Sequence, residues 1–158
     1  MTGKTHMLIG VTTAIAVQHF TNFQLTSREY CEYYTLCTLG SILPDIDHPH
    51  AILNKMFLEL PYLLTGKCKH RTKTHSLLFL VGVTLTFFIL SKNLVPSLAL
   101  GLGIMSHLVA DTLNPTGVPY LYPFDKEKYR IAKIRTGTSA ESIIAVCCVL
   151  LIYLIVTI

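Results

Sequence analysis

Apolar residues run along this chain in five stretches, separated by short polar punctuation. They read from about Thr5 to Phe20, Tyr30 to Ile46, Ser76 to Leu90, Leu94 to Leu113, and Ser142 to Ile158. The fourth and fifth approach the roughly 20 residues a helix needs to cross a bilayer, while the first three are shorter or more polar. Short spans can end against a protein-lined cavity, where irregular backbone is tolerated. Only Lys92 and Asn93 separate the third stretch from the fourth. That spacing predicts a helical hairpin, with Pro96 suited to the first turn of the following helix. The pattern predicts an all-α polytopic membrane bundle of about five transmembrane or partly spanning helices, forming one integral-membrane domain over residues 1–158.

Composition sharpens this picture. Hydrophobic residues make up 51% of the chain and charged residues only 14%. A soluble domain carries about 25% charged residues. A soluble helical bundle could contain apolar runs of this length, but so few charges would hardly clothe five of them. The five cysteines include no CxxC pair, and Cys37, Cys147 and Cys148 lie inside apolar stretches, so a disulfide scaffold is not expected. Met7 to Val17 has the length of a signal-peptide core. His6 interrupts its start, and no small-x-small cleavage site follows at Gln18-His19, so retention is expected.

Charge orients the bundle. With five spans, Met1–Lys4 and the loops around 51–75 and 115–141 share one side, and that side holds 11 Lys and Arg. The other side holds Arg28 and Lys92. The positive-inside rule then places the N-terminus in the cytoplasm and the C-terminus outside. The net charge of +4 alone would admit a nucleic-acid binder. The cations fall in two loops between apolar runs and no zinc-finger spacing is present, so no nucleic-acid partner is expected. The oligomeric state is left open.

The topology uses no His, Asp or Glu, yet it brings most of them to one depth. His6 opens the first span on the cytoplasmic side. In "LPDIDHPH", Asp45, Asp47 and His48 close the second, and "HRTKTHS" sets His70 and His75 at the start of the third. "SHLVAD" places His107 and Asp111 near the cytoplasmic end of the fourth, and Glu141 in "GTSAES" opens the fifth. His107 and Asp111 share a helix face, about 6 Å apart along the axis. Pro44 and Pro49 put Asp45, Asp47 and His48 on irregular backbone, where side chains can converge in ways a helix forbids. Asn114 is placed to end the fourth span and orient Asp111.

Ionisable groups at membrane depth demand partners. Asp/Glu–His pairing in a polar network or proton path is one solution, and a divalent metal is the other. Imidazole with carboxylate suits zinc or manganese, with iron or magnesium as further options. The donors exceed the needs of a single ion, which leaves room for two ions, or for one with supporting groups and a general base. The metal candidates are His6, Asp45, Asp47, His48, His70, His75, His107, Asp111 and Glu141. His6 and Glu141 also suit a purely local role at a helix start. His19 and His50 fit no such role. Gly101 and Gly103 permit close helix packing, and Tyr120, Tyr122 and Phe124 suit interfacial anchoring.

At these residues the chain resembles the YdjM family of bacterial inner-membrane proteins (DUF457), described as membrane-bound metal-dependent hydrolases. The resemblance rests on "THMLIG", "LGSILPDIDH", "HRTKTHS", "GIMSHLVADTLNPTG" and "RTGTSAE". Thr72 stands where family members often carry glycine in HRGxTHS. The resemblance implies roles for the same nine metal candidates and implies hydrolase activity. The chemistry expected is hydrolysis of a phosphoester or related bond in a lipid or amphiphilic substrate by metal-activated water. In that scheme Asp47 or Glu141 accepts the proton and Arg71 offsets charge on the phosphoryl oxygens. The rivals are a metal- or proton-linked transporter and a non-catalytic membrane protein with a structural metal.

Overall fold

The computed structural model describes residues 1–48, 51–56 and 73–158. Its helices are α1 (Gly3–Thr21), α2 (Ser27–Gly40), the short α3 (Ile52–Met56), α4 (Leu77–Ser91), α5 (Leu94–Asp111) and α6 (Ser139–Thr157). Single 3-10 turns at Leu43–Asp47 and Lys73–His75 follow α2 and precede α4. Among the described residues β-structure is confined to one isolated bridge, Val118 with Tyr129.

Helix boundaries follow from local chemistry. Thr2, Thr26, Ser76 and Asn93 each accept a backbone N–H of the first turn that follows, satisfying donors that have no partner within the helix. Thr26 and Glu29 complete a reciprocal capping box. Lys92 closes α4 in the left-handed region at φ 55°, and Asn93 starts α5 at once. The expected hairpin is therefore present. The apolar stretch from Tyr30 to Ile46 does not form one helix. It begins earlier, at Ser27, and stops at Gly40, after which Pro44 sits at the start of the 3-10 turn. Proline there lacks the N–H that would continue the α-helical ladder.

α5 is the central helix. It packs against α1, α2 and α4, and α6 packs against α1. One apolar cluster joins Ala14 of α1, Tyr33 and Cys37 of α2, and Ala99 of α5. A second joins Leu100, Ile104 and Leu108 of α5 to Val118 of the following loop, flanked by Phe79, Leu80 and Val83 of α4. α2 and α5 approach closely at two glycines. A Cβ on Gly103 would collide with the Cys37 carbonyl, and one on Gly40 with the Leu100 carbonyl. Such backbone contact is how helices pack tightly where lipid supplies no hydrophobic drive.

Two described helices, α5 and α6, are long and apolar enough to cross a membrane, and α4 is a shorter apolar helix. They play different parts, since 67% of α5 is buried against only 11% of α6. Ile143, Val146, Leu150, Tyr153 and Leu154 of α6 are exposed, as are Leu78, Val81, Leu85 and Ile89 of α4. Apolar surface on that scale is what a lipid-facing exterior requires.

Candidate metal centre

The ends of four elements bring a polar cluster together at one end of the bundle. His6 lies in the opening turns of α1, and His107 and Asp111 in the last turns of α5. Asp45 sits on the turn after α2, and His75 ends the turn before α4. His6, His75, His107 and Asp111 are fully buried, whereas the Asp45 side chain is 20% exposed.

Hydrogen bonds on the far sides of the two central imidazoles fix how they face inward. His107 Nδ1 lies 2.7 Å from the Ser41 carbonyl oxygen. A carbonyl only accepts, so the proton is on Nδ1 and Nε2 points into the cluster. His75 Nδ1 lies 3.0 Å from Thr74 Oγ1, and that hydroxyl donates to Asp47 Oδ2 at 2.9 Å. Its one proton is spent on the carboxylate, so it accepts the Nδ1–H of His75. The two Nε2 atoms then meet at 3.3 Å. Neutral imidazoles so arranged confront each other lone pair to lone pair, and a proton or a metal cation relieves the conflict. Burial pushes the His75 pKa down, but Asp111 and Asp45 outweigh it and hold the pKa above its ordinary value.

Two carboxylates complete the set. Asp45 Oδ1 lies 3.6 Å from each Nε2, and Asp111 Oδ2 lies 3.6 Å from His75 Nε2 and 3.8 Å from His107 Nε2. Four donors at about 2.0–2.1 Å from a tetrahedral zinc stand about 3.3–3.4 Å from one another. The separations within Asp45, His75 and His107, 3.3 to 3.6 Å, come close to that spacing, and Asp111 Oδ2 stands within 3.8 Å of both imidazoles. The other oxygen of Asp111 is turned away. Oδ1 faces His6 Nε2 at 3.3 Å, the Met1 amino group at 3.2 Å and the Asn114 amide. The His6 ring stacks on His107, centroids 3.8 Å apart. His6, His107 and Asp111 thus make a second triad overlapping that of Asp45, His75 and His107. The two share His107, whose Nδ1 is committed to Ser41. One imidazole nitrogen cannot ligate two ions independently.

The other sequence candidates lie around this cluster. Asp47 is buried and holds Thr74. Glu141 accepts the N–H groups of Thr2 at 2.5 Å and Gly137 at 2.7 Å, tying the start of α6 to the start of α1. His48 belongs to neither triad, and its carbonyl accepts Asn54 Nδ2 at 2.6 Å. His70 and Arg71 lie outside the described residues, as does His50. Asn114 donates to Asp111 as expected. Sequence reading misses Thr74 and the Ser41 carbonyl. Thr74 does carry a signal, standing directly before a candidate histidine. A backbone carbonyl carries none.

Residues 1–158 match the family described as YdjM inner membrane protein. The uncharacterized protein YvsG of Bacillus subtilis (strain 168) is 30% identical over 149 residues, covering 91% of this chain and 87% of YvsG. The inner membrane protein YdjM of Escherichia coli (strain K12) is 32% identical over 132 residues, covering 78% of this chain and 66% of YdjM. Its Shigella flexneri counterpart gives the same values. No solved structure matches. With an apolar bundle, a buried His/Asp cluster able to coordinate a metal ion, and a family match across all 158 residues, the chain belongs to the YdjM family of inner-membrane proteins.

Proposed function

We propose that this protein is a metal-dependent hydrolase that cleaves a phosphoester or related bond in a lipid or amphiphilic substrate. The reading is carried by the 3.3 Å approach of His75 Nε2 and His107 Nε2, with both Nδ1 atoms committed elsewhere and two carboxylates alongside. His75, His107, Asp45 and Asp111 would hold one ion. Zinc or manganese suits such mixed nitrogen and oxygen donors. A bound divalent ion supplies Lewis acidity, lowering the pKa of an adjacent water and offsetting charge at the bond being cleaved.

The chain's own part is positioning and access. Thr74 and Ser41 hold the two imidazoles, while His6, Asn114 and the amino terminus hold Asp111. Asp45, the one partly exposed donor, is assigned as the carboxylate that meets substrate and takes the proton from the attacking water. Asp47 and Glu141 act behind it, through Thr74 and through the α1–α6 junction. Arg71 keeps the charge-stabilising role that its place in "HRTKTHS" gives it. Substrate would enter sideways from the inner leaflet, the cluster lying at the cytoplasmic end of the bundle.

One observation favours a second reading, a structural metal joining α2, α4 and α5. Four protein donors on one ion would leave no open position, and closed sites are usually structural. Against it, structural zinc sites are typically built on cysteine, and this set has none. Elemental analysis of the purified protein, followed by incubation with a total lipid extract, separates the readings. About one ion per chain, with product released by the native protein and not by the Asp45→Ala variant, supports the hydrolase. Metal without product supports the staple, and absence of divalent metal overturns both.

A further inference from the structure

Between α5 and α6 the chain folds into a cap beside the His/Asp cluster. Val118 and Tyr129 exchange backbone hydrogen bonds of 2.9 and 3.0 Å, and the N–H groups of Ile131 and Ile134 each donate at 2.8 Å to the carbonyls of Thr112 and Leu113. These bonds hold segment 129–134 against the end of α5. Two kinds of side chain face outward there. Lys126, Lys128, Arg130, Lys133 and Arg135 are exposed, against only Asp125 and Glu127 as acids, and none of the five cations is ion-paired with the described residues. Phe124 and Ile131 are apolar yet 88% and 83% exposed.

A cleft of about 560 Å³ separates this segment from α5, bordered by Val109, Leu121, Tyr129, Arg130 and Ile131. Its α5 wall is continuous with the exterior of the bundle. Val109 and Met105 are both exposed and stand four residues apart, on one helix face. The α5 wall of the cleft is therefore apolar and runs into the exposed apolar face of that helix. The facing segment supplies Arg130, whose guanidinium is given one long hydrogen bond, 3.4 Å to the Pro115 carbonyl.

We propose that this cleft binds an anionic phospholipid of the surrounding leaflet. The phosphate lies at Arg130, flanked along the chain by Lys128 and Lys133, and an acyl chain follows Val109 and Met105. Guanidinium is the side chain best matched to phosphate oxygens, and a juxtamembrane group of cations attracts anionic lipid. Apolar Phe124 and Ile131 beside those cations suit the head-group boundary and not open water. The site is independent of whatever chemistry the His/Asp cluster performs.

The chain contains no tryptophan, so Ile131→Trp introduces a single probe. The full-length variant is reconstituted in phosphatidylcholine vesicles that contain a small share of phosphatidylglycerol, with bromine placed on the acyl chains of one lipid or the other. Brominated phosphatidylglycerol is expected to quench the probe at a mole fraction several-fold below that needed for brominated phosphatidylcholine. Adding Arg130→Gln should raise that fraction about fivefold. Val146→Trp, on the exposed face of α6, should show no such preference. Equal quenching of the Ile131→Trp protein by the two lipids, quenching by neither, or the same preference at position 146 overturns the proposal.

Discussion

The hydroxyl of Thr74 stands between Asp47 and His75, 2.9 Å from the carboxylate and 3.0 Å from the imidazole Nδ1. With one proton to give, it donates to the acid and accepts from the ring. The nitrogen that faces the cluster is thereby left with its lone pair. Partners of this kind, behind a metal-binding histidine, typically account for 10- to 100-fold of the affinity. Thr74→Val keeps the side-chain shape and removes the link, so affinity for zinc should fall by about that factor. Thr74→Ser should restore most of it. Titration against a chromophoric chelator reads the difference, and equal affinity in all three proteins would refute the link.

Metal should stabilise the bundle by holding α2, α4 and α5 at one point. At a free-ion concentration about 100 times the dissociation constant, the gain is about 2.7 kcal/mol. A chelator is therefore expected to lower the denaturation midpoint of the protein in detergent. His107→Ala removes a central donor and should melt at one temperature with or without chelator. A chelator shift that survived in His107→Ala would place the ion elsewhere.

Acidity should oppose the metal. Against burial, Asp111 and Asp45 hold the His75 pKa above its ordinary value of 6.5 in the metal-free chain, so a proton occupies the ring below that raised pKa. An ion must displace it, and affinity should rise with pH, by about tenfold per unit for each proton released, before levelling off. The stability sign runs the other way for the metal-free chain. A raised folded-state pKa stabilises below the unfolded value, and that contribution is lost as pH rises through the folded one. The midpoint gap between loaded and stripped protein should then widen as pH rises toward the raised folded-state pKa of His75 and level off above it. Calorimetry in two buffers of different ionisation enthalpy counts the protons, and a pH-independent affinity would rule this coupling out.

Much of the site is legible in the sequence. Apolar runs and spacing predict His6, Asp45, His75, His107 and Asp111 at one depth, and these five residues do gather in one buried cluster. What spacing cannot give is where a side chain turns. Asp45 and Asp47 are two residues apart on a 3-10 turn, and only the first reaches the imidazoles, while the second takes Thr74. Glu141 opens α6 as expected, but its carboxylate satisfies two backbone N–H groups. The helix end at Gly40 is hidden because Ile42 and Leu43 continue the apolar stretch up to Pro44. Hydropathy does not record where the hydrogen-bond ladder stops.

Gly103 sets its Cα against the backbone of α2, and a Cβ there would strike the Cys37 carbonyl. Backbone is not a flexible side-chain tip, so α2 and α5 must part. Four residues along each helix, that contact continues into the bond from His107 Nδ1 to the Ser41 carbonyl, 2.7 Å long. Gly103→Ala should therefore cost about 1–3 kcal/mol by overpacking and also weaken metal binding, although every donor is retained. Gly82 in α4 is the control, since a Cβ there meets nothing within 4 Å. Gly82→Ala should leave affinity unchanged and stabilise its helix by up to about 1 kcal/mol. If the two variants bound zinc equally, the α2–α5 contact would not be what positions His107, and the Ser41 carbonyl would have to hold the ring unaided.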